Sequence, residues 1–150
     1  MEIKEEKFNH SLPIQIRFGD IDAQGHINNN IYFSYFDLGK TTYFEDLKAS
    51  VVSWIEGFVV VAHLEVDFIS PVFYREPIYV DSKIIKIGHK SVTMLQQIRN
   101  IKTQEVKCRC TSVIVAYDAV LQTSMLIPDV WKEAIGEYEG INFQKAEQSK

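Results

Sequence analysis

From Asn30 to about Leu47 the chain carries Ile31, Tyr32, Phe33, Tyr35, Phe36, Leu38, Tyr43, Phe44 and Leu47, more large apolar side chains than one amphipathic stripe can hold. A helix whose first half is apolar nearly all round is predicted to be enclosed by other structure. At about 1.5 Å of rise per residue it runs roughly 27 Å, enough to lie across a whole sheet, and Gly39 marks a place where something packs close. The rest of the chain supplies that sheet. Leu12 to Phe18 alternates apolar and polar residues as a strand does. Phe58 to Ile69, Ile78 to Ile87, Ser91 to Ile101 and Val106 to Tyr117 are rich in β-branched and aromatic residues and are predicted strands. Pro71 and Pro77 bracket the first connection, Gly88-His89-Lys90 makes a tight second turn and Lys102-Thr103-Gln104 a third, so neighbouring strands are expected to run antiparallel. Val51 to Ile55, with Trp54, adds a short helical turn, and Pro128 opens a short C-terminal helix carrying Trp131 and Ile135. This order predicts an α+β fold, an antiparallel curved sheet wrapped around one long central helix.

A chain of 150 residues holds one hydrophobic core and is too short for two comfortable domains. One domain is expected over residues 1–150, its core from about residue 12 to 136, with a polar and disordered tail after Phe143. With 46 % hydrophobic and 24 % charged residues the balance is that of an ordinary globular protein. A net charge of −4 offers no basic surface on which nucleic acid would bind. The charged start from Met1 to Lys7 is followed by no long apolar run, so neither a secretory signal nor a membrane span is expected, and the cytoplasm is the default location. Cys108 and Cys110 share a face of a strand; they fit neither a CxxC redox pair nor a zinc ribbon and read as buried or edge thiols. Nothing in the pattern calls for a metal or a redox cofactor.

The chemistry concentrates between Arg17 and Tyr32. Asp20, Asp22, His26 and the successive amides Asn28, Asn29 and Asn30 lie where a strand ends and the aromatic helix begins. Asp20 and Asp22 share a face if the strand continues and diverge if it has turned. Gly25 permits a backbone geometry that other residues resist, and the asparagines supply more candidate N-caps than one helix needs. With Asp22 near the unpaired N–H groups of Asn29 and Asn30, a carbonyl would be polarised there while Asp22 attacks it or activates a water. A thioester suits so minimal a site, because its carbonyl is more electrophilic than an amide's and its thiolate leaves with less help. No GxSxG elbow and no HExxH occur, which sets aside the usual hydrolase triad and the zinc proteases. His26 orients a water, tunes the carboxylate, or simply hydrogen-bonds at the helix start. Tyr32 and Phe36 belong to the core and can also line a pocket for an acyl chain. Lys90, in a hairpin turn, is either merely exposed or holds a phosphate. On the second strand His63, Glu65 and Asp67 alternate with Ala62, Leu64, Val66 and Phe68, which places the histidine on the polar face.

The segment from Arg17 to Phe36, with Asp20-Ile21-Asp22-Ala23-Gln24-Gly25-His26-Ile27-Asn28-Asn29 at its centre, resembles the signature of hotdog-fold acyl-CoA thioesterases of the 4-hydroxybenzoyl-CoA thioesterase type. Glu65 to Val72 is similar to that family's second strand with its proline exit, and Ile87 to Thr93 to its third hairpin, so that the likeness runs from roughly Ile14 to Pro128. The resemblance implies a hotdog domain that pairs into homodimers, often homotetramers, with active sites at the subunit interface. It implies that Asp22 is nucleophile or general base and that the backbone N–H of Asn29 polarises the thioester carbonyl. His26 would supply a supporting hydrogen bond or hold a water, while Lys90 and Ser91 at the third hairpin would contact the nucleotide phosphates of coenzyme A. Some relatives carry a histidine where this chain has Asn29, and an asparagine cannot supply that imidazole's acid–base function. The motif is also similar to plant-type acyl-ACP thioesterases, whose Asp-x-Asn-x-His arrangement maps to Asp22, Gln24 and His26, with glutamine replacing the central asparagine. The expected activity is hydrolysis of an acyl-CoA to a carboxylic acid and free CoA. An acyl-ACP thioesterase and a non-catalytic acyl-thioester binding protein are the alternatives.

Overall fold

A computed structural model of the chain describes residues 4–47 and 57–143. Its strands are β1 (His10–Ile14), β2 (Gly57–Phe68), β3 (Ile78–Ile87), β4 (Ser91–Asn100), β5 (Val106–Asp118) and the short β6 (Thr123–Ser124). They form one sheet in the order β1-β3-β4-β5-β2, with β6 also pairing to β5, and every pairing is antiparallel. The β3–β4 and β4–β5 turns are the expected hairpins. The β2–β3 connection is not a hairpin: β2 pairs with β5 at the far edge of the sheet, and residues 69–77 carry the chain across the ends of the strands between. On the way Ile69 and Ser70 N–H donate to the Lys107 carbonyl, and Ile101 N–H donates to that of Pro77. β1 stops at Ile14 rather than continuing to Phe18, and β6 had no periodic signal because it is so short. The helical turn expected at Val51 to Ile55 and the tail after Phe143 lie outside the described residues.

The long helix α1 (Asn29–Asp46) lies within one residue of its expected ends. Tyr32, Tyr35, Phe36, Gly39 and Tyr43, with Leu47 just beyond, recur at helical spacing and are buried against the sheet, where the helix lies on β1 and β3. Enclosure on all sides is not what the single chain shows, since Ser34, Asp37 and Leu38 face outward and Leu38 is 52 % exposed. One stripe does hold the core residues, and the surplus apolar groups stand outside it. At Gly39 the helix comes so close to the sheet that a Cβ would sit 2.5 Å from Val80 Cγ1.

The core under α1 has two parts. Toward its start, Tyr32, Tyr35 and Phe36 pack with Ile27, Val72, Ile78, Val80 and Ile98. Toward its end, Tyr43, Phe44 and Leu47 pack with Ile84, Met94 and Ile114 and with Trp131 and Ile135 of α2 (Asp129–Glu139), the helix that Pro128 opens. Glu139 ties α2 in by accepting from the Tyr43 hydroxyl (2.5 Å) and the Ile84 N–H (3.2 Å). On the opposite face of the sheet Asp81, 1 % exposed, accepts from Arg99 Nε (2.8 Å), Gln97 Nε2 (2.9 Å) and Ser11 Oγ (2.6 Å). Burial raises this carboxyl's pKa, but the donors outweigh it and hold Asp81 below the usual range. Residues 4–9 cross that face, with Lys83 paired to Glu6 at 2.7 Å.

Candidate active site

Past Arg17 the chain makes a single 3₁₀ turn, Phe18–Asp20. Asp20 is 2 % exposed, and its carboxylate accepts from the Arg17 N–H (3.0 Å), the Tyr35 hydroxyl (2.7 Å) and the Arg17 guanidinium (3.4 Å). Burial pushes its pKa up, yet these donors more than offset burial and leave it below the ordinary carboxylate value. That carboxylate pins the loop to α1. The chain has turned by the next aspartate, so the two diverge: Asp22 is exposed.

Ile21 and Ile27 pair as an isolated bridge, and between them Gly25, at φ 81°, closes the turn that Asp22 organises. Asp22 Oδ1 accepts from the N–H groups of Gln24 (2.9 Å) and His26 (3.2 Å), and the Asp22 N–H donates to the His26 carbonyl (2.9 Å). Oδ2 has no hydrogen-bond partner among the described residues. His26 bridges to Phe73, whose ring meets the imidazole edge-on with centroids 4.9 Å apart. The Ile27 N–H donates to the Val72 carbonyl (2.9 Å), and the Asn28 N–H to that of Asp20 (3.0 Å), which fastens the loop on both sides.

Asn28 is the N-cap of α1. Its Oδ1 accepts from the Asn30 N–H (3.1 Å) and its carbonyl from the Ile31 N–H (2.8 Å). The Asn30 N–H is therefore occupied, which corrects the expectation of two unpaired amides there. The Asn29 N–H has no acceptor among the described residues and carries the positive end of the helix. Asp22, His26, Asn29 and Tyr32 line one cleft of about 430 Å³, with Phe68 and Pro71 on the facing wall. The Tyr32 oxygen accepts from the Val72 N–H (3.3 Å), its ring lies 5.5 Å from that of Phe68, and burial raises its pKa.

Phe36 does not join this cleft; one turn along α1 it lines a separate cavity of about 200 Å³. Lys90 and Ser91 are farther off. Ser91 pairs with Val115 at one end of the sheet, whereas the cleft lies beyond the other end, where Ile98 pairs with Cys108. With β4 spanning roughly 30 Å, neither residue reaches the cleft of its own chain. Cys108 and Cys110 are buried thiols, pushed by burial up to about 12 and about 11. The expected face assignment of β2 also changes, because the ladder slips between Val61 and His63. Ala62 is left over, and Val59 and Val61 face the helix side together with Leu64, Val66 and Phe68.

The sequence did not single out Phe68, Ser70 and Pro71, which form the second wall. The available signal was Ser70-Pro71 closing an apolar strand. Lys107 supports that wall: its carbonyl holds Ile69 and Ser70, and its Nζ lies 3.2 Å from Glu105, 3.4 Å from the Pro71 carbonyl and 3.6 Å from Glu76.

Comparison with known proteins places this loop and helix in a family. The model of the thioesterase-like superfamily matches residues 16–135. The chain belongs to the thioesterase-like superfamily. Among solved structures, a Thermus thermophilus thioesterase crystallised with coenzyme A and zinc superimposes with a TM-score of 0.78 at 24 % identity, over 91 % of this chain and 98 % of that one. A Pseudomonas aeruginosa protein gives 0.79 at 23 % identity, over 87 % of this chain and 92 % of that one. A 1,4-dihydroxy-2-naphthoyl-CoA thioesterase from Synechocystis gives 0.72 at 15 % identity, over 84 % and 94 %. These likenesses establish the hotdog fold of thioesterase-like proteins, a curved antiparallel sheet with one long helix packed against it. No curated protein matches the chain. No described helix is long and apolar enough to cross a membrane.

Proposed function

We propose that this thioesterase-like chain hydrolyses an acyl-CoA thioester of the kind handled by the 4-hydroxybenzoyl-CoA thioesterase type, releasing a carboxylic acid and free CoA. The observation that carries the reading is one cleft lined by both Asp22, with a free oxygen, and Asn29, with a free N–H at a helix start. The Asn29 N–H polarises the thioester carbonyl and stabilises the oxyanion that forms. Asp22 Oδ2 then attacks the carbonyl carbon, giving an anhydride that water opens, or takes a proton from the attacking water. Either route expels the CoA thiolate. Asp22 Oδ1 is held by the loop N–H groups, which keeps Oδ2 aimed without a second side chain, and His26, fixed against Phe73, assists with a hydrogen bond or a water.

The acyl group enters past Tyr32 toward Phe36. Residues 1–150 act as one domain, and two or four copies assemble. The exposed edge strand β2, with Val60, Val61, Leu64 and Phe68 each between 38 and 46 % exposed, supports assembly through that edge. Because Lys90 and Ser91 lie across the sheet from their own cleft, they serve the CoA phosphates bound at another copy's cleft.

Release of CoA from short-chain, long-chain and aromatic acyl-CoAs, measured for the wild type and Asp22→Asn, tests the reading. A general base typically contributes about 10²- to 10⁴-fold, and a fall in kcat/KM of that size is expected, with the melting temperature nearly unchanged. Turnover retained by Asp22→Asn removes Asp22 from the mechanism. Turnover of matched acyl-ACP but not of acyl-CoA replaces the carrier.

A further inference from the structure

Farther along the gap between α1 and β2, past the ring pair Tyr32–Phe68, lies the second cavity, lined by Phe36, Val61, Leu64, Gln96, Cys110 and Ser112 among others. Its walls are mostly apolar, and Asp37, Lys40, Gln96 and Ser112 are the polar residues among them. Ser112 is 2 % exposed, and its Oγ is buried with no hydrogen-bond partner among the described residues. A buried hydroxyl is unfavourable unless something satisfies it. The strand does not need one here, because the other β5 residues on this face, Cys108, Cys110, Ile114 and Ala116, are packed without any. Gln96 cannot donate to it, since its Nε2 is committed to the Phe36 carbonyl and to Ser82 Oγ, both at 2.9 Å.

Among the described residues the cavity carries no uncompensated charge. Lys40, which also lines it, is paired to Asp37 at 3.1 Å. Cys110 stays a neutral thiol, its pKa pushed up to about 11 by burial. The distance from the cleft follows from the backbone. Asn29 and Phe36 are separated along α1 by about 10 Å, and Phe68 and Leu64, which pair with Cys108 and Ser112, lie roughly 13 Å apart along β2.

Taking the thioesterase reading above as given, we infer that the acyl group this site selects carries a neutral oxygen, a hydroxyl or a carbonyl, at its far end, where Ser112 Oγ hydrogen-bonds it. With the thioester carbonyl at the Asn29 N–H, the reach is that of a chain of roughly eight carbons. The chain passes between Tyr32 and Phe68, whose rings lie 5.5 Å apart.

The test uses thioethers that cannot be hydrolysed: S-octyl-CoA, S-(8-hydroxyoctyl)-CoA and S-(7-carboxyheptyl)-CoA, titrated calorimetrically into the wild type and Ser112→Ala. The wild type is expected to bind the hydroxyl compound at least about fivefold more tightly than the plain one, as a hydrogen bond to an otherwise unpaired buried group should provide. Ser112→Ala loses that preference and keeps its affinity for S-octyl-CoA. Should the alanine variant not fold, Ser112→Cys, which matches its strand neighbours, takes its place. Equal affinities in the wild type, a preference surviving in the variant, or tightest binding of the carboxylate overturns the inference. Hydrolysis of octanoyl-CoA and 8-hydroxyoctanoyl-CoA is followed in parallel. A binding preference without turnover upholds the pocket and defeats the hydrolase reading, whereas turnover without a preference does the reverse.

Discussion

Gly39 divides α1 into unlike halves. Past it, Tyr43, Phe44 and Leu47 meet α2 and three strands in a core where the buried Tyr43 hydroxyl is satisfied by Glu139. Before it, the helix is flanked not by a second helix but by the loop from Phe18 to Asn28, whose polar groups are tied to one another, to Tyr35 and to Val72. The first arrangement leaves Tyr43, Phe44 and Leu47 almost wholly buried. The second leaves a cleft where one carboxylate oxygen and one amide hydrogen face outward. The same helix thus contributes stability through one half and a candidate reaction site through the other, and the close approach at Gly39 fixes both halves on the sheet.

If the halves are independent, damage to one spares the other. Ile135→Ala empties a fully buried position between α2 and the sheet and is expected to lower stability by about 2–5 kcal/mol, measured by denaturant unfolding. Below its melting transition the variant should keep kcat/KM within about twofold, since only effects above ordinary mutational scatter count as coupling. A large loss of turnover in the folded variant would join the halves that the packing separates.

Tyr35→Phe probes the border. Removing the hydroxyl leaves the buried Asp20 carboxylate short of a donor and should cost about 1–3 kcal/mol at neutral pH. The native pKa of Asp20 lies below its ordinary value of 3.8, so the stabilisation from its ionised form is fully present above that value and is lost as pH falls through the native one. Wild type and Tyr35→Phe should therefore converge in stability under acid; a gap that stays constant to low pH would show that the hydroxyl acts on something other than the charge. The smallest effect is expected from Asn28→Ala, which removes the cap of α1 at a cost of about 1 kcal/mol in chemical denaturation. An unchanged midpoint would mean that the helix start is held by the loop alone.

The elements were legible where side-chain periodicity speaks for itself. α1, β3, β4 and β5 lie within a residue of their expected limits because their apolar residues recur at helical or strand spacing. The pairing of β2 was not legible, since a strand's own pattern does not say which neighbour takes its hydrogen bonds, and two prolines between β2 and β3 fit a crossover as well as a turn. In the candidate site the residue types were evident and their division of labour was not. Asp20 and Asp22 differ only through the 3₁₀ turn that buries one of them, and Asn28 and Asn29 only through which one caps the helix. Lys90 and Ser91 show the limit most plainly, because a hairpin's sequence carries no information about how far it stands from a loop seventy residues earlier.

The leftover Ala62 gives β2 an unusual relation to its own length. Upstream, Val59 and Val61 oppose Ala116 and Ile114; downstream, Leu64 opposes Ser112, and all of these face the helix side. A deletion of Ala62 would let the ladder run unbroken with every remaining side chain on the face it already occupies. The same loss at Leu64, with the Ala62 bulge retained, would turn the upstream valines over to the opposite face. Variation in chain length along this strand is therefore tolerable at one place, and drift in the length of β2 would leave its trace there rather than at its neighbours.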